Sequence, residues 1–165
     1  MGYVGKTVVF CENKQMSNHK TEQIPPMLPD IFTLPPYGGN PPMLLGGYCG
    51  HCDAYFFPKP RYCPRCLETP ESREIGNTGV IHSFTVVRTK PPLGLPQPYS
   101  VGYVDLNGNA AGSGLRVFCL FDPDSTERLE IGAKVTLQVG SLGHEGHGKA
   151  RLRPYFKPVA QEQEK

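Results

Sequence analysis

Two Cys-x-x-Cys pairs, Cys49/Cys52 and Cys63/Cys66, constrain the fold of this chain more than any other feature. Each turn is tight enough for both sulfurs to reach one ion. Residues 53–62 between the pairs can form a short hairpin that sets the second turn opposite the first. Gly50 and Pro64 suit such turns. The pattern predicts a zinc ribbon with a four-thiolate site. Two disulfides would require an oxidising compartment, yet no apolar signal segment opens the sequence and six cysteines in 165 residues is not disulfide density. A thioredoxin-like redox pair would lie between a strand and a helix start, and neither pair does. Tetrahedral sulfur ligation fits iron as well as zinc, with zinc the expectation. Four thiolates leave no position for water, so the metal is expected to be structural and the function to lie elsewhere in the chain.

The remaining composition favours short strands over helices. Gly 19 and Pro 18 punctuate the chain, and no window carries a long 3.6-residue apolar period. A length of 165 residues suits one ordinary domain plus a small module, and a hydrophobic content of 38% is adequate for a modest core. The formal net charge of +2 does not argue for a polyanionic partner. No stretch of apolar residues is long enough to span a bilayer, so a soluble, cytoplasmic chain is expected.

Residues 1–43 read as an extended arm. Val8, Val9 and Phe10 form a small apolar cluster ahead of a polar tail, and residues 24–47 combine seven prolines with apolar residues such as Met27, Leu28, Ile31, Phe32 and Leu44. Such proline density excludes a regular helix. Its apolar side chains call for a surface, either the chain's own barrel or a partner subunit. The ribbon is expected over 44–70, with Glu68–Asn77 a polar connector. Period-two patterning then predicts five strands within 71–158. The first is Gly79–Arg88, with Val80, His82, Phe84 and Val86 on one face; the second is Tyr99–Leu106, closed by a tight turn at Asn107-Gly108. The third, Leu115–Phe121, has Leu115, Val117, Cys119 and Phe121 inward, which makes Cys119 a core thiol. A short helical turn over Glu127–Ile131, capped from Asp124-Ser125-Thr126, precedes the fourth, Ala133–Val139. The fifth is Arg151–Lys157, where Pro154 implies an edge or a bulge. Five short strands suit a small OB-type barrel, which removes exposed edges by closing on itself. Residues 140–150 read as a glycine-rich loop and 159–165 as a polar tail.

The order of these parts resembles a family of zinc-ribbon/OB-fold proteins, formerly a domain of unknown function, that accompany thiolases and related acyl-CoA enzymes. The resemblance spans about residues 44 to 157. It rests on Cys49-Gly-His-Cys52, Phe56-Phe57-Pro58, Arg61-Tyr-Cys63-Pro-Arg-Cys66, the strand from Gly79 to Val87, the segment from Pro98 to Leu106, the segment from Leu129 to Val135, and Arg153-Pro-Tyr-Phe156. Two departures stand out: Leu67 occupies a position where relatives usually carry glycine, and a proline arm replaces the short helix common before the ribbon. The resemblance implies a mainly β chain, a rubredoxin-like zinc ribbon followed by a five-stranded OB barrel, acting as a non-catalytic accessory subunit of an acyl-CoA C-acyltransferase. Its partner would be a thiolase-like catalytic subunit, with CoA or acyl-CoA at or near the interface. Size and architecture are similar to those of the small subunits of two-component thiolases, the class that includes benzoylsuccinyl-CoA thiolase, which implies β-oxidation-like degradation of an aromatic acyl-CoA.

The residues themselves assemble no thiolysis machinery. A nucleophilic cysteine, a base and oxyanion donors are all needed. Cys11 lies in an irregular segment, Cys119 faces inward, and His19 and His82 stand alone. Gly143-His-Glu-Gly-His-Gly148 lacks the helical i, i+4 spacing of a zinc protease motif and reads as a hairpin tip. CoA carries phosphates and a flat adenine, so its site needs cations and an apolar or aromatic wall. The candidates are Arg88 and Lys90 beside Pro91-Pro92, with Arg151, Arg153 and Lys157 on the last strand. A competing class is single-stranded nucleic-acid binding, with Tyr55, Phe56, Phe57 and Tyr62 as stacking aromatics beside Lys59 and Arg61.

Overall fold

In the computed structural model, residues 24–34, 40–91, 94–107, 115–144 and 148–159 are described. The cluster at Val8–Phe10, Cys11, His19 and His147 lie outside them. The chain is mainly β, with eight strands in two sheets among the described residues. β1 (Leu44–Cys49), β2 (Ala54–Phe56) and β3 (Glu71–Gly76) form an antiparallel ribbon ordered β2-β1-β3. β4 (Thr78–Val87), β5 (Tyr99–Leu106), β6 (Arg116–Leu120), β7 (Lys134–His144) and β8 (Ala150–Pro158) form the second sheet, ordered β6-β5-β4-β7-β8. Its two outer strands meet through a parallel bridge between Phe121 and Phe156, and Asp122 N–H donates to Phe156 O at 2.8 Å. That contact curls the sheet toward closure, as expected of an OB barrel.

One core runs through both sheets. Leu44 and Ile75 of the ribbon join Ile81, Val104, Val117, Phe121, Leu137 and Phe156 of the barrel in one buried cluster, so ribbon and barrel are held together by shared apolar burial. Phe32 of the arm, 6% exposed, belongs to it too. Met27 N–H donates to Leu152 O at 2.9 Å and Leu152 N–H to Pro25 O at 3.0 Å, so the arm runs alongside β8. It then crosses to β1, where Leu45 N–H donates to Ile31 O and Thr33 N–H to Met43 O. Residues 24–34 therefore lie on the chain's own barrel and ribbon. They cover the outer edge of β8, where Pro154 sits.

Several expectations are corrected. The Glu68–Asn77 connector contains a true strand, β3; its polar sequence hid it because Glu71 to Glu74 are all exposed and only Ile75 and Gly76 are buried. On β4 the alternation breaks. A bulge between Ile81 and Ser83 makes His82 the extra residue, so Ile81 (1% exposed) enters the core, His82 faces solvent, and Phe84 packs on the core beyond the bulge. Asp105 opposes Arg116 and Leu106 N–H donates to Leu115 O, which leaves residues 107–114 in the connection. Asn107-Gly108 is thus no two-residue turn, and 108–114 lie outside the described residues. The helical turn forms earlier than expected, as a 3₁₀ helix over Pro123–Arg128 capped by Asp122. β7 runs on through Gly140 to His144 and β8 begins at Ala150, so much of the supposed 140–150 loop is strand.

The bulge on β4 requires a glycine opposite. A Cβ on Gly102 would lie 2.1 Å from Ser83 O and 2.7 Å from Phe84 Cα, both backbone atoms that cannot swing aside. Asp122, 6% exposed, is a second fixed point: it accepts from Ser125 Oγ–H at 2.7 Å and pairs with Lys157 Nζ at 3.6 Å. Gly102→Ala is expected to cost about 1–3 kcal/mol by forcing β4 away from β5. Asp122→Ala should cost about 0.5–2 kcal/mol through loss of the cap. Urea unfolding of each variant measures both. On the outer face, the Arg116 guanidinium, then to a lesser degree His82, holds the Asp105 carboxyl below its usual range against the opposing effect of burial. A depressed carboxylate adds stability above its unfolded pKa that disappears as pH falls through the folded one. Asp105→Asn should therefore flatten the acid limb of the stability curve, read as melting temperature against pH.

Candidate metal centre and adjoining cavity

The four cysteine sulfurs lie within 4.8 Å of one another. Cys49 ends β1 and is 2% exposed; Cys63 is fully buried; Cys52 and Cys66 are half-buried on the solvent side. Sγ of Cys49 and Cys66 are 3.4 Å apart, those of Cys52 and Cys63 3.9 Å. A tetrahedron with metal–sulfur bonds of about 2.3 Å has edges of about 3.8 Å, so the set fits one ion. The separations are well beyond a sulfur–sulfur bond, and all four thiols are free.

The local backbone explains how two turns reach one point. The residue after each pair, Asp53 (φ 46°) and Leu67 (φ 66°), adopts the left-handed conformation that swings the chain back. Leu67 N–H donates to Cys63 O at 2.9 Å and Cys63 N–H to Glu68 O at 2.7 Å, which closes the second knuckle. Aspartate tolerates that conformation and is further held by Tyr48 O–H, which donates to Asp53 Oδ1 at 2.9 Å. Leucine does not, and Leu67 is 74% exposed, so packing gives it nothing in return.

The sulfurs differ in electrostatic setting. Burial pushes the Cys63 thiol up, but the backbone N–H groups of Arg65 and Cys66 outweigh it and bring the value down to about 6. Cys52, which hydrogen-bonds to Cys66, is pushed up to about 12, and burial adds to that. Cys66 is likewise raised, so the close sulfurs oppose one another's ionisation, a conflict that a bound cation would relieve.

Beside the ribbon lies a cavity of about 360 Å³ where arm, ribbon and barrel meet. Met27 and Leu28 come from the arm, Phe57 from the ribbon, Phe118 and Phe156 from the barrel, and Arg153 from β8. A second cleft lies against it, sharing Ile31 and Pro58, with Lys59 and Arg61 on its wall.

The candidate cations do not form one cluster. Arg88 and Lys90 are exposed just beyond β4, and Gln97 Nε2–H donates to Arg88 O. Arg151, Arg153 and Lys157 are on β8, and β7 stands between the two strands. Lys157 pairs with Asp122, and Arg153, half-buried, borders the cavity. Cys119 also lines the cavity; burial pushes its thiol up to about 12 and its S–H points to Gly102 O at 3.7 Å, so it is a packing thiol. His82 Nδ1 lies 3.4 Å from Asp105 Oδ2 on the exposed face. Of the four ribbon aromatics, Tyr55 meets Tyr48 in a tilted contact at 4.7 Å, Phe56 is half-buried at the end of β2 and Phe57 packs on the core, while Tyr62 sits under Arg61 at the surface. Tyr55 and Phe57 are thus used by the fold rather than offered as a stacking platform. No described helix is long and apolar enough to cross a membrane.

Comparison with known proteins agrees with this geometry. Residues 39–71 match the family described as the ChsH2 rubredoxin-like zinc ribbon domain, and residues 72–139 the ChsH2 C-terminal OB-fold domain. The chain is 34% identical over 151 residues to the benzoylsuccinyl-CoA thiolase subunit BbsA of Thauera aromatica, covering 89% of this chain and 99% of that one. The Ltp2-ChsH2(DUF35) aldolase structure superposes with a TM-score of 0.55 at 24% identity, over 72% of this chain and 86% of that chain, and shares the fold. Leu67→Gly should raise the stability of the metal-loaded chain by about 1 kcal/mol, because the left-handed strain is relieved and nothing packed is lost. Cys63→Ser should reduce bound metal from one equivalent to a small fraction, measured by elemental analysis after gel filtration.

Proposed function

The chain belongs to the ChsH2 family of zinc-ribbon and OB-fold proteins, and from that premise we propose that it is the accessory, non-catalytic subunit of a thiolase-type acyl-CoA enzyme in the cytoplasm. The observation that carries the reading is the match to BbsA along 99% of that subunit's length and 89% of this chain. The aromatic acyl-CoA in that relative's name is the substrate class we carry over.

The chemistry of the residues supports this division of labour. Cys49, Cys52, Cys63 and Cys66 would hold a zinc ion, whose role when bound is to staple the two knuckles, since four sulfur ligands fill its coordination. Cys119 keeps its proton at any physiological pH. In this reading an acyl transfer takes its nucleophile from the partner, while this chain supplies shape and charge at the shared surface. Arg88 and Lys90, exposed at the end of β4, suit the phosphates of CoA. Lys157 contributes less freely, being paired with Asp122.

Purified alone, the chain is expected to carry one zinc and to show no thiolysis; purified from its native cells it should bring a thiolase-type subunit in constant ratio, with activity confined to the complex. Arg88→Ala with Lys90→Ala should raise the KM for CoA several-fold in that complex and leave kcat nearly unchanged, as lost ground-state binding does. Turnover by the lone chain, or a stable companion unrelated to acyl-CoA chemistry, contradicts the reading.

A further inference from the structure

β6 presents an unpaired edge to the seam of the barrel. At its two ends it is bonded to β5: Leu106 N–H donates to Leu115 O at 3.1 Å, and Phe121 N–H to Ser100 O at 3.0 Å. Backbone groups alternate in direction along an antiparallel strand, so Leu115, Val117, Cys119 and Phe121 face β5. Arg116, Phe118 and Leu120 therefore turn both N–H and C=O away from it. On that side the link to β8 begins only at the strand's end, through the bridge from Phe121 to Phe156 and the bond from Asp122 N–H to Phe156 O. The three outward-facing residues have no backbone partner among the described residues.

Their side chains deepen the anomaly. Phe118, 59% exposed, meets the exposed Tyr103 edge to face at 5.4 Å, and Leu28 of the arm, 56% exposed, lies across the cavity that Phe118 and Leu120 also line. Natural sheets blunt a bare edge with lysine, proline or a covering segment. β6 reads Arg-Val-Phe-Cys-Leu, and its one charge is taken by Asp105. Such an edge, apolar and unpaired, is what an added strand fits.

The chain carries a matching segment outside the described residues. Pro26 bridges Leu152 in parallel, and Phe121 bridges Phe156 in parallel, so the arm enters the seam at the Arg116 end of β6. A segment preceding the arm that turns back through residues 13–23 would meet β6 antiparallel. In that direction Glu12, Phe10 and Val8 fall opposite Arg116, Phe118 and Leu120, an opposite-charge, an aromatic and an apolar pair on the three unpaired positions. Residues 13–23 reach about 36 Å when extended, far beyond the spacing of about 5 Å between neighbouring strands. Residues 160–165, Ala-Gln-Glu-Gln-Glu-Lys, offer no such alternation. The short tether also holds the segment at a local concentration of about millimolar, which a second copy or a separate protein has to exceed.

We propose that residues 7–12 add to the free edge of β6 as an antiparallel strand, with Phe10 against Phe118, and so complete the closure of the barrel. This gives the Val8–Phe10 cluster a place that the subunit role does not use. It needs no partner enzyme, so it can fail while that role stands, and the reverse.

Amide hydrogen exchange by NMR on the full-length metal-loaded chain is the test. Phe118 and Leu120 amides should exchange about tenfold or more slowly than unprotected amides, independently of protein concentration, and the Phe10 and Phe118 rings should show a through-space contact. Val8→Asp with Phe10→Asp should return those two amides close to the unprotected rate, while Val117 and Cys119, bonded to β5, stay protected. Phe10→Ala should cut the protection several-fold. Free exchange of Phe118 and Leu120 in the unmodified chain overturns the proposal, as does protection that survives the double substitution. Protection that rises with protein concentration assigns the edge to a second copy, and protection that appears only on adding another protein assigns it to a partner's strand; either refutes the assignment. If the double variant also exposes Val117 and Cys119, the ring contact in the unmodified chain and Phe10→Ala decide.

Discussion

Four sulfurs held within 4.8 Å cannot all carry negative charge unless a cation sits among them. The opposed tendencies of Cys63, down to about 6, and Cys52, up to about 12, express that conflict in the chain itself. Resolving it fixes more than the knuckles. Cys49 ends β1 and the loop to Cys63 contains Phe57 and Pro58, so the site that gathers the sulfurs also sets where those two residues stand against the barrel. The short ribbon has little apolar area of its own. Its order depends on the staple at one end and on Leu44 and Ile75 sunk into the barrel core at the other.

The seam between the two sheets is where arm, ribbon and barrel are joined. The arm crosses it, bonded first to Leu152 of β8 and then to β1, and Phe32 plugs it from outside. Backbone pairing along β8 covers an edge that Pro154 alone would not protect. What remains open at the junction is the apolar cavity with Arg153 in its wall. The cavity lies at the meeting point of three segments, and the barrel's Cys119 borders it as a packing thiol.

Much of this is legible in residue order. The Cys-x-x-Cys pairs predict the metal cluster, alternation at Tyr99–Leu106 and at Val135 and Leu137 predicts β5 and the core of β7, and the arrangement of parts predicts an OB barrel after a ribbon. What escapes does so for identifiable reasons. The bulge at His82 inverts a period that reads as regular, because Val80, Phe84 and Val86 keep their spacing while Ile81 takes the core position. β3 carries no alternation since most of it is solvated, and β7 continues through glycines because pairing with β8, not side-chain burial, sustains it. Leu67 shows the reverse: a difference from relatives visible in sequence gains its physical meaning only from a φ of 66°. That Arg153 borders the cavity has no sequence signal at all, because β8 alternates charge and apolar residues on an edge whose outer side is covered by a segment more than a hundred residues away.

The central claim is that a bound metal organises the ribbon, and through it the seam with the barrel, while the barrel's own strands and turn supply most of the shared core. Hydrogen exchange of the full chain, read by mass spectrometry before and after metal removal, tests this directly. Loss of protection should be confined to β1, β2, β3 and the arm segment 24–34, with β4, β5 and β7 unchanged. Protection that persists in β1 to β3 without metal, or that vanishes equally from β5 and β7, contradicts the account.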